Sequence, residues 1–274
     1  MKIKKILTPV DFSENSLNAL KYAAAFAKSS GAAIFILHIT DPDSLLNDLK
    51  GNLSPDHLLS LIKTENFLSG IKVNTIIKKG NVADLILEES KKNDIDLVVM
   101  GTQGASNMAR TLVGTNTTKV VGRSQCAVMA VPAQASYSQI KKMVLAVDLE
   151  HRADQLIEDI INTMKVQETA ILLAYVGIDR DGHFQRDLEK MTDEMKIKSG
   201  YKKILCKVIH SDEFPGSLES YVTDIDADLL VMITHHRGVF EAIFDPSATK
   251  LYAYHTQIPL LAIPHHKTPV FFLS

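Results

Sequence analysis

Three glycines with fixed spacing follow a strongly apolar segment in the first half of the chain. Gly101, Gly104 and Gly114 form the pattern G-x2-G-x9-G, and the hydroxyl residue Thr115 comes directly after the third glycine. Glycine has no Cβ, so the backbone at these positions can approach a ligand more closely than a side chain would allow. Backbone N–H groups in such a loop, next to a helix N-terminus, are typical of phosphate binding. The spacing therefore predicts a phosphate-binding loop; the alternative is a glycine loop that holds no ligand.

Other familiar nucleotide and catalytic motifs are missing from the sequence. There is no G-x4-G-K-[ST], and no G-x-G-x-x-G follows the first strand-like segment. Asp11 and Asp148 occupy matching positions in the two halves, but no Ser-His-Asp or paired-carboxylate spacing accompanies them. We therefore predict a binding protein rather than an enzyme and assign no catalytic residues. Slow hydrolysis of a bound triphosphate is compatible with this interpretation.

The overall composition argues against several classes of partner. The 30 Lys and Arg residues are balanced by 32 Asp and Glu residues, so no basic excess attracts nucleic acid or anionic lipid. No apolar run approaches the roughly 20 residues that span a bilayer. Cys126 and Cys206 lie in different halves without CxxC spacing, which is typical of reduced thiols. We predict a cytoplasmic protein that binds neither nucleic acid nor membranes.

The second half of the chain repeats the first. KKILTPVDFSENS, which begins at Lys4, matches KKMVLAVDLEHRA, which begins at Lys141. DLVVMGTQG at Asp96 likewise matches DLLVMITHH at Asp228. The apolar pattern breaks off around residues 133 to 140, where Ala, Gln and Ser dominate. The sequence therefore predicts two similar domains, at residues 1–135 and 140–274.

Within each half, strand-like and helix-like segments alternate. In the first half the strand-like segments are KKILTPV, AAIFILHIT, KVNTIIKKG, DIDLVVMG and CAVMAVP. Strands that alternate with amphipathic helices predict an α/β domain with an open, mostly parallel five-stranded sheet and helices on both faces. Ligands of such sheets bind beyond the carboxyl ends of the strands, where the strand order reverses. Both the first-strand aspartate and the glycine pattern fall at that edge.

Taken together, these segments resemble the universal stress protein family in its tandem, two-domain form. The motifs that carry the resemblance are TPVDFSENS, LHIT, KKGNVADLILEES, and VVMGTQG followed by LVGTNT. The resemblance covers nearly all 274 residues and implies Rossmann-like domains of the adenine nucleotide alpha hydrolase type. It also implies that the glycine pattern holds ATP, with or without Mg²⁺. Paired domains of the family meet through their last strands, which implies that CAVMAVP and IPLLAIP form an intramolecular pseudo-dimer. A homodimer of whole chains is a further option.

The resemblance also assigns residues to the nucleotide site. It implies that Pro9, Val10 and Asp11 line the nucleoside pocket, with Asp11 accepting a hydrogen bond from a ribose hydroxyl. Ile39 then offers backbone groups to the adenine edge. The remaining residues border the nucleotide or surround its phosphates: Met100, Gly101, Gly104, Gly114, Thr115, Asn116 and Thr117.

The second half departs from this pattern. Asp148 is retained, and Val176 stands where the first half has its adenine-edge residue. The three glycine positions, however, hold Ile233, His236 and Pro246. Two of these side chains occupy the space that phosphates need, and proline has no N–H to donate. We therefore expect one ATP site per chain, in the first half, and a degenerate second domain.

Histidines raise the alternative of a metal site in the second half. The pairs His235–His236 and His265–His266 follow two neighbouring strand-like segments, and His255 or Asp245 could assist them. Adjacent histidines on an extended chain point to opposite sides, however, and no H-x3-H or CxxC spacing is present. We interpret them as surface or interface residues and predict no metal site.

Two classes of function compete on this sequence. The first is an ATP-binding stress-response or regulatory module that acts through nucleotide occupancy. The second is a nucleotide-independent interaction protein whose second-half cleft binds another small ligand or a metal. An ATP-pyrophosphatase is a third option, but the SGGxDS phosphate loop of such enzymes is absent.

Overall fold

The computed structural model describes residues 3–40, 55–102, 115–137, 139–234 and 257–265. The strands in these ranges are β1 (Lys5–Pro9), β2 (Ala33–Thr40), β3 (Val73–Lys79), β4 (Leu97–Gly101), β5 (Ala127–Val131), β6 (Lys142–Ala146), β7 (Ala170–Val176), β8 (Ile204–Ile209), β9 (Leu229–Thr234) and β10 (Leu260–Pro264). The α-helices are α1 (Glu14–Ser30), α2 (Pro55–Lys63), α3 (Val82–Lys92), α4 (Thr115–Arg123), α5 (Asp154–Met164), α6 (His183–Ser199) and α7 (Phe214–Asp224).

All of these strands belong to one sheet, in the order β3-β2-β1-β4-β5-β10-β9-β6-β7-β8. Every neighbouring pair is parallel except β5 and β10, which are antiparallel. Each half thus contributes five parallel strands, and its first strand lies between its second and its fourth. The predicted α/β class with two similar five-stranded units is confirmed. The two five-stranded units are joined into a single sheet.

Helices cover both faces of the sheet because the strands are apolar on both sides. Ile6 and Leu7 are neighbours on β1 and are both fully buried, yet they belong to separate hydrophobic clusters on opposite faces. The first cluster includes residues of α1, α5 and α6, and the second includes residues of α3, α4 and α7. This double burial explains why the parallel strands appear in the sequence as continuous apolar runs.

Helix α1 illustrates how the local sequence fixes these elements. The hydroxyl of Ser13 caps its N-terminus by accepting a hydrogen bond from the N–H of Ser16 at 3.2 Å. At the other end, Gly31 adopts a left-handed backbone with φ of 71°, and its N–H bonds to the carbonyl of Ala27. The buried face is rich in alanine, so the helix backbone packs closely on β1, β4 and β5.

The two halves meet where β5 pairs with β10. Leu260, Leu261 and Ala262 lie opposite Ala130, Met129 and Val128, and all six side chains are buried. This is the pairing of the last strands that the family resemblance implies. The apolar edge of each five-stranded unit is thereby covered by the other half of the same chain. The division into domains at 1–135 and 140–274 fits this seam and remains our proposal.

An aspartate fastens the start of β4 to the start of β1, and its counterpart does the same in the second half. The Oδ2 atom of Asp96 accepts hydrogen bonds from the N–H groups of Lys4 and Lys5, at 2.8 and 3.0 Å. The Oδ2 atom of Asp228 accepts the same pair from residues 141 and 142, both at 2.8 Å. The repeated KK and DL motifs therefore encode a structural clamp.

A buried carboxylate joins α3 to β3. Glu89 is only 1% exposed, and its Oε1 lies 3.1 Å from the Nζ of Lys78. Asn93 donates a hydrogen bond to Oε2 at 2.9 Å, and Lys92 lies 3.7 Å from Oε1. Burial by itself would raise the pKa of Glu89, but Lys78, Asn93 and Lys92 outweigh it and hold the pKa below its ordinary value. The charged form of Glu89 therefore stabilises the fold.

Replacing Glu89 with Gln should lower the free energy of unfolding at neutral pH by about 1–3 kcal/mol, because it leaves Lys78 without its counter-ion. The folded-state pKa is below the unfolded one. The contribution is therefore complete above the unfolded pKa and disappears as the pH falls through the folded pKa. Urea unfolding from pH 7 to pH 3 should show the difference between wild type and Glu89→Gln shrinking. The control is the exposed neighbour Glu88→Gln. A difference independent of pH, or one equal to that of the control, would show that the Glu89 charge contributes nothing.

A shortened chain of residues 1–137 should self-associate, because it leaves the apolar edge of β5 without β10. An antiparallel pair of two β5 strands is the simplest replacement. Size-exclusion chromatography with light scattering, over a range of concentrations, measures this directly against the intact chain. A soluble monomer of residues 1–137 at all concentrations would contradict the role assigned to the seam.

Candidate functional site

The sheet order creates a crevice at the carboxyl edge of the first half. β1 connects to β2 on one side and neighbours β4 on the other, so the chain diverges from β1 in two directions. Pro9 ends β1, Val10 and Asp11 follow it, and Gly101 ends β4. Extending the register of β1 on β4 places Val10 opposite Gly101. The two predicted halves of the site therefore lie on either side of the crevice.

The corner after β1 holds Asp11 in a defined position. Its Oδ1 accepts hydrogen bonds from the N–H and the hydroxyl of Ser13, at 3.0 and 2.5 Å. The N–H of Asp11 is 3.3 Å from the hydroxyl of Ser16, in the first turn of α1. Phe12, between Asp11 and Ser13, has a φ of 61°, a left-handed conformation that is costly for an aromatic residue. This exposed carboxylate is thus fixed at the edge of the crevice.

Residues of β2 support that corner from the side. His38 is buried, and its Nδ1 lies 2.8 Å from the carbonyl oxygen of Val10. Its ring also packs against Phe12, with ring centres 4.6 Å apart. Ile39 comes next on β2 and is partly buried. Sequence reasoning missed His38 and Phe12; the signals were the LHIT motif, which contains His38, and the TPVDFSENS motif, which contains Phe12.

The first turn of α4 is attached to the end of β4. Thr117 is buried, and its hydroxyl donates a hydrogen bond to the carbonyl of Gly101 at 3.0 Å. Thr115 and Asn116 precede it in the same turn; Thr115 is exposed and Asn116 half-buried. N–H groups in the first turn of a helix have no intrahelical partner and carry partial positive charge. The structure therefore places a helix N-terminus beside the crevice.

Gly101 does not need to be glycine for its backbone conformation. Among the described glycines with positive φ are Gly31 and Gly80, but not Gly101, which continues the extended strand. Its counterpart is Ile233: Gly101 pairs with Val131 on β5, and Ile233 pairs with the equivalent residue on β10. The side chain of Ile233 packs onto the core. The first half thus lacks a side chain at the position where the second half has one. Gly104 and Gly114 lie outside the described residues.

In the second half, Asp148 is engaged by its own loop. Its Oδ1 accepts hydrogen bonds from the N–H groups of Glu150 and His151, at 2.9 and 3.2 Å. Its Oδ2 lies 3.1 Å from the Nδ1 of His151. Burial acts to raise the pKa of Asp148, but these hydrogen bonds and the His151 charge lower it overall. Both oxygens of the retained aspartate are therefore occupied within the protein.

Most of the histidines considered for a metal site lie outside the described residues. His235, His236 and His266 lie outside the described residues, as do Asp245 and His255. Within the described ranges, no three His, Cys, Asp or Glu side chains come together in a way that could hold a metal ion. The prediction of no metal site therefore stays a prediction.

A doubly wound parallel sheet with an aspartate and a side-chain-free strand end at its switch point defines a Rossmann-like protein. The model of the universal stress protein family matches residues 2–132. Universal stress protein MJ0531 of Methanocaldococcus jannaschii is 30% identical over 139 residues, which cover 47% of this chain and 81% of the relative. Universal stress protein MJ0577 of the same organism is also 30% identical, over 47% of this chain and 94% of the relative. The chain belongs to the universal stress protein family.

Solved structures match both halves at once. A universal stress protein from Archaeoglobus fulgidus has a TM-score of 0.70 at 19% identity, covering 96% of this chain and 97% of its own. A functionally unknown protein of Pseudomonas aeruginosa, PA1789, has a TM-score of 0.68 at 14% identity and covers 96% of this chain and 92% of its own. The likeness establishes a shared fold over nearly the whole chain. No helix in the described ranges has the length and apolar character needed to cross a membrane.

Thr117→Val should lower the free energy of unfolding by about 1 kcal/mol, because it removes a buried hydrogen bond to Gly101 and keeps the shape of the side chain. Thr115→Val is the matched control, since Thr115 is exposed in the same helical turn. Chemical denaturation without any nucleotide measures both. Equal effects of the two substitutions would contradict the attachment of α4 to β4 through this hydroxyl.

Proposed function

We propose that the chain binds one ATP molecule, in the crevice of the first half. The observation that carries the proposal is the arrangement at the switch point: the fixed carboxylate of Asp11 on one side and the side-chain-free Gly101 on the other. Membership of the universal stress protein family supports it. The second half has the same crevice by topology, but Ile233 replaces the glycine there and the oxygens of Asp148 accept hydrogen bonds from its own loop.

Each part of the nucleotide has a partner in this proposal. Asp11 accepts a hydrogen bond from a ribose hydroxyl, and Ser13 keeps its carboxylate in place. Pro9 and Val10 border the nucleoside, while the main chain at Ile39 faces the adenine edge. The phosphates lie beyond the end of β4, against the first turn of α4, where N–H groups favour anions. The remaining partners assigned to the nucleotide are Met100, Gly101, Gly104, Gly114, Thr115, Asn116 and Thr117.

A Mg²⁺ ion fits this site only as a companion of the phosphates. Among the described residues around the crevice, Asp11 is the carboxylate within the site, and it already accepts hydrogen bonds from Ser13. Magnesium takes most of its ligands from phosphate oxygens and water when few carboxylates are offered. The ion would therefore neutralise phosphate charge, and this chain's own residues would hold the nucleotide.

Occupancy of the site, rather than turnover, is the proposed output. Among the described residues at the crevice there is no pair of carboxylates and no Ser-His-Asp arrangement to activate water. A regulatory, stress-response role in the cytoplasm, in which bound ATP changes the surface presented to partners, follows from this assignment. Slow hydrolysis of the exposed triphosphate is compatible with it. A homodimer of whole chains remains a further proposal.

The second-half cleft supports an alternative ligand. Tyr175 and Phe184 pack with ring centres 4.7 Å apart. Burial is the main cause that raises the pKa of Tyr175, and the negative charges of Glu150 and Asp148 raise it further. The tyrosine therefore lies near both carboxylates. If the chain binds no nucleotide, an interaction protein with a small ligand in this cleft is the remaining candidate.

Exchanging the residues at the two equivalent strand ends tests the proposal. Gly101→Ile introduces the residue found in the second half, and the extended backbone accepts a β-branched side chain, so the variant should fold. Calorimetric titration of wild type with ATP should give about one site per chain, and Gly101→Ile should weaken binding by at least about 30-fold through steric overlap.

Ile233→Gly is the matched control, and ATP affinity should be unchanged in it. Circular dichroism and thermal unfolding confirm that both variants are folded. Two equal sites per chain, or unchanged affinity in folded Gly101→Ile, would overturn the assignment. Loss of the site in Ile233→Gly would move it to the second half.

A further inference from the structure

A cavity of about 480 Å³ lies between the two halves. Because β5 and β10 are antiparallel, the carboxyl edge of the first half adjoins the amino edge of the second. The cavity forms at this junction, between α1, the segment after β5, and the segments that lead into β9 and β10. Its volume is in the range of small-molecule sites, which occur preferentially where two structural units meet. It is lined in part by Tyr22, Phe26, Ile140, Asp226, Asp228 and Gln257.

A buried tyrosine in this cavity has no hydrogen-bond partner for its hydroxyl in the part of the chain that the structure describes. Tyr22 is 6% exposed and lines the cavity, and none of the described residues donates to or accepts from its hydroxyl. Tyr137 stands edge-on to it, with ring centres 5.3 Å apart. Burial, Tyr137 and the charge of Asp228 raise the pKa of Tyr22 to about 12, so the hydroxyl keeps its proton at neutral pH. The Tyr22 side chain is thus buried as a whole, while its hydroxyl is available to a ligand or water in the cavity.

The polar part of the cavity is acidic. Asp226 is exposed and lies in a left-handed turn with φ of 51°. Asp228 also lines the cavity, and its Oδ2 clamps the start of β6. Among the described lining residues there is no Lys, Arg or His. Two carboxylates without a basic side chain repel anions and attract a cation.

The opposite part of the cavity is apolar. Phe26, Ile140 and Leu229 line it, and the same three residues also border a second void of about 10 Å³. The further residues around that void are all hydrophobic as well. The cavity therefore combines an acidic rim with an apolar interior.

We propose that this cavity is a binding site for a small organic amine that carries an aromatic or aliphatic body. The ammonium group pairs with Asp226 and Asp228 and donates a hydrogen bond to the hydroxyl oxygen of Tyr22, while the body packs on Phe26 and Ile140. The site is separate from the ATP crevice because none of the residues that line it is assigned to the nucleotide.

Phenethylamine is a suitable probe, and phenylacetate is its control of equal size and opposite charge. The chain also offers a matched pair of variants. Asp226 and Asp94 occupy equivalent left-handed turns in the two halves, with φ of 51° and 50°. Asparagine tolerates this conformation, so Asp226→Asn and Asp94→Asn both keep the backbone while removing one charge. Only Asp226 is among the residues that line the cavity.

Titration of the full chain, followed by NMR chemical shifts, should show saturable binding of phenethylamine and none of phenylacetate. Asp226→Asn should weaken binding by about tenfold and Tyr22→Phe by a few-fold, while Asp94→Asn leaves it unchanged. Saturating ATP should not displace the amine. No saturable binding, equal binding of phenylacetate, or equal losses in Asp226→Asn and Asp94→Asn would each overturn the proposal.

Discussion

The antiparallel pairing of β5 with β10 is the contact on which the rest of the structure depends. It joins two five-stranded units into one sheet and covers the apolar inner edge of both. Because the strands within each half are parallel, this one antiparallel contact turns the carboxyl edges of the halves in opposite directions. The two crevices therefore lie on opposite edges of the sheet. The same inversion brings the carboxyl edge of one half against the amino edge of the other and forms the cavity between them.

The two halves share the strand framework and differ at the carboxyl edge of the sheet. The aspartate clamps at Asp96 and Asp228 match almost to the hydrogen-bond length, because both solve the same problem of fastening neighbouring strands. At the switch points, the two equivalent aspartates are held by different hydrogen bonds. Asp11 accepts hydrogen bonds from the N–H and the hydroxyl of Ser13, whereas Asp148 accepts them from the N–H groups of Glu150 and His151 and lies beside the ring of His151. The clamps and the switch points use different residues, so the residues at a switch point can change while the strand framework is kept.

Much of the fold could be predicted because it depends on local pattern. Continuous apolar runs, the Ser13 cap and the glycine that ends α1 each act within a few residues. The placement of Asp11 and Gly101 on either side of the crevice also followed from strand order. The burial of Glu89 could not be predicted, since it depends on Lys78 from another element. Nor could the role of Thr117, whose hydroxyl bonds inward to Gly101. The cavity at Tyr22 is formed by segments more than 200 residues apart, and no sequence motif predicts that they come together.

The seam also has a consequence for how the chain is made. β5 ends at Val131 and its partner strand begins at Leu260, so about 130 residues must be synthesised before β10 can pair with β5. At ribosomal speeds of about 5–20 residues per second, the edge of β5 stays open for roughly 6–26 s. That strand reads AVMAV and carries no charge to keep other strands away. Nascent chains on neighbouring ribosomes could pair through this edge before their own second halves emerge, which makes the interval of synthesis the period of greatest risk for misassembly.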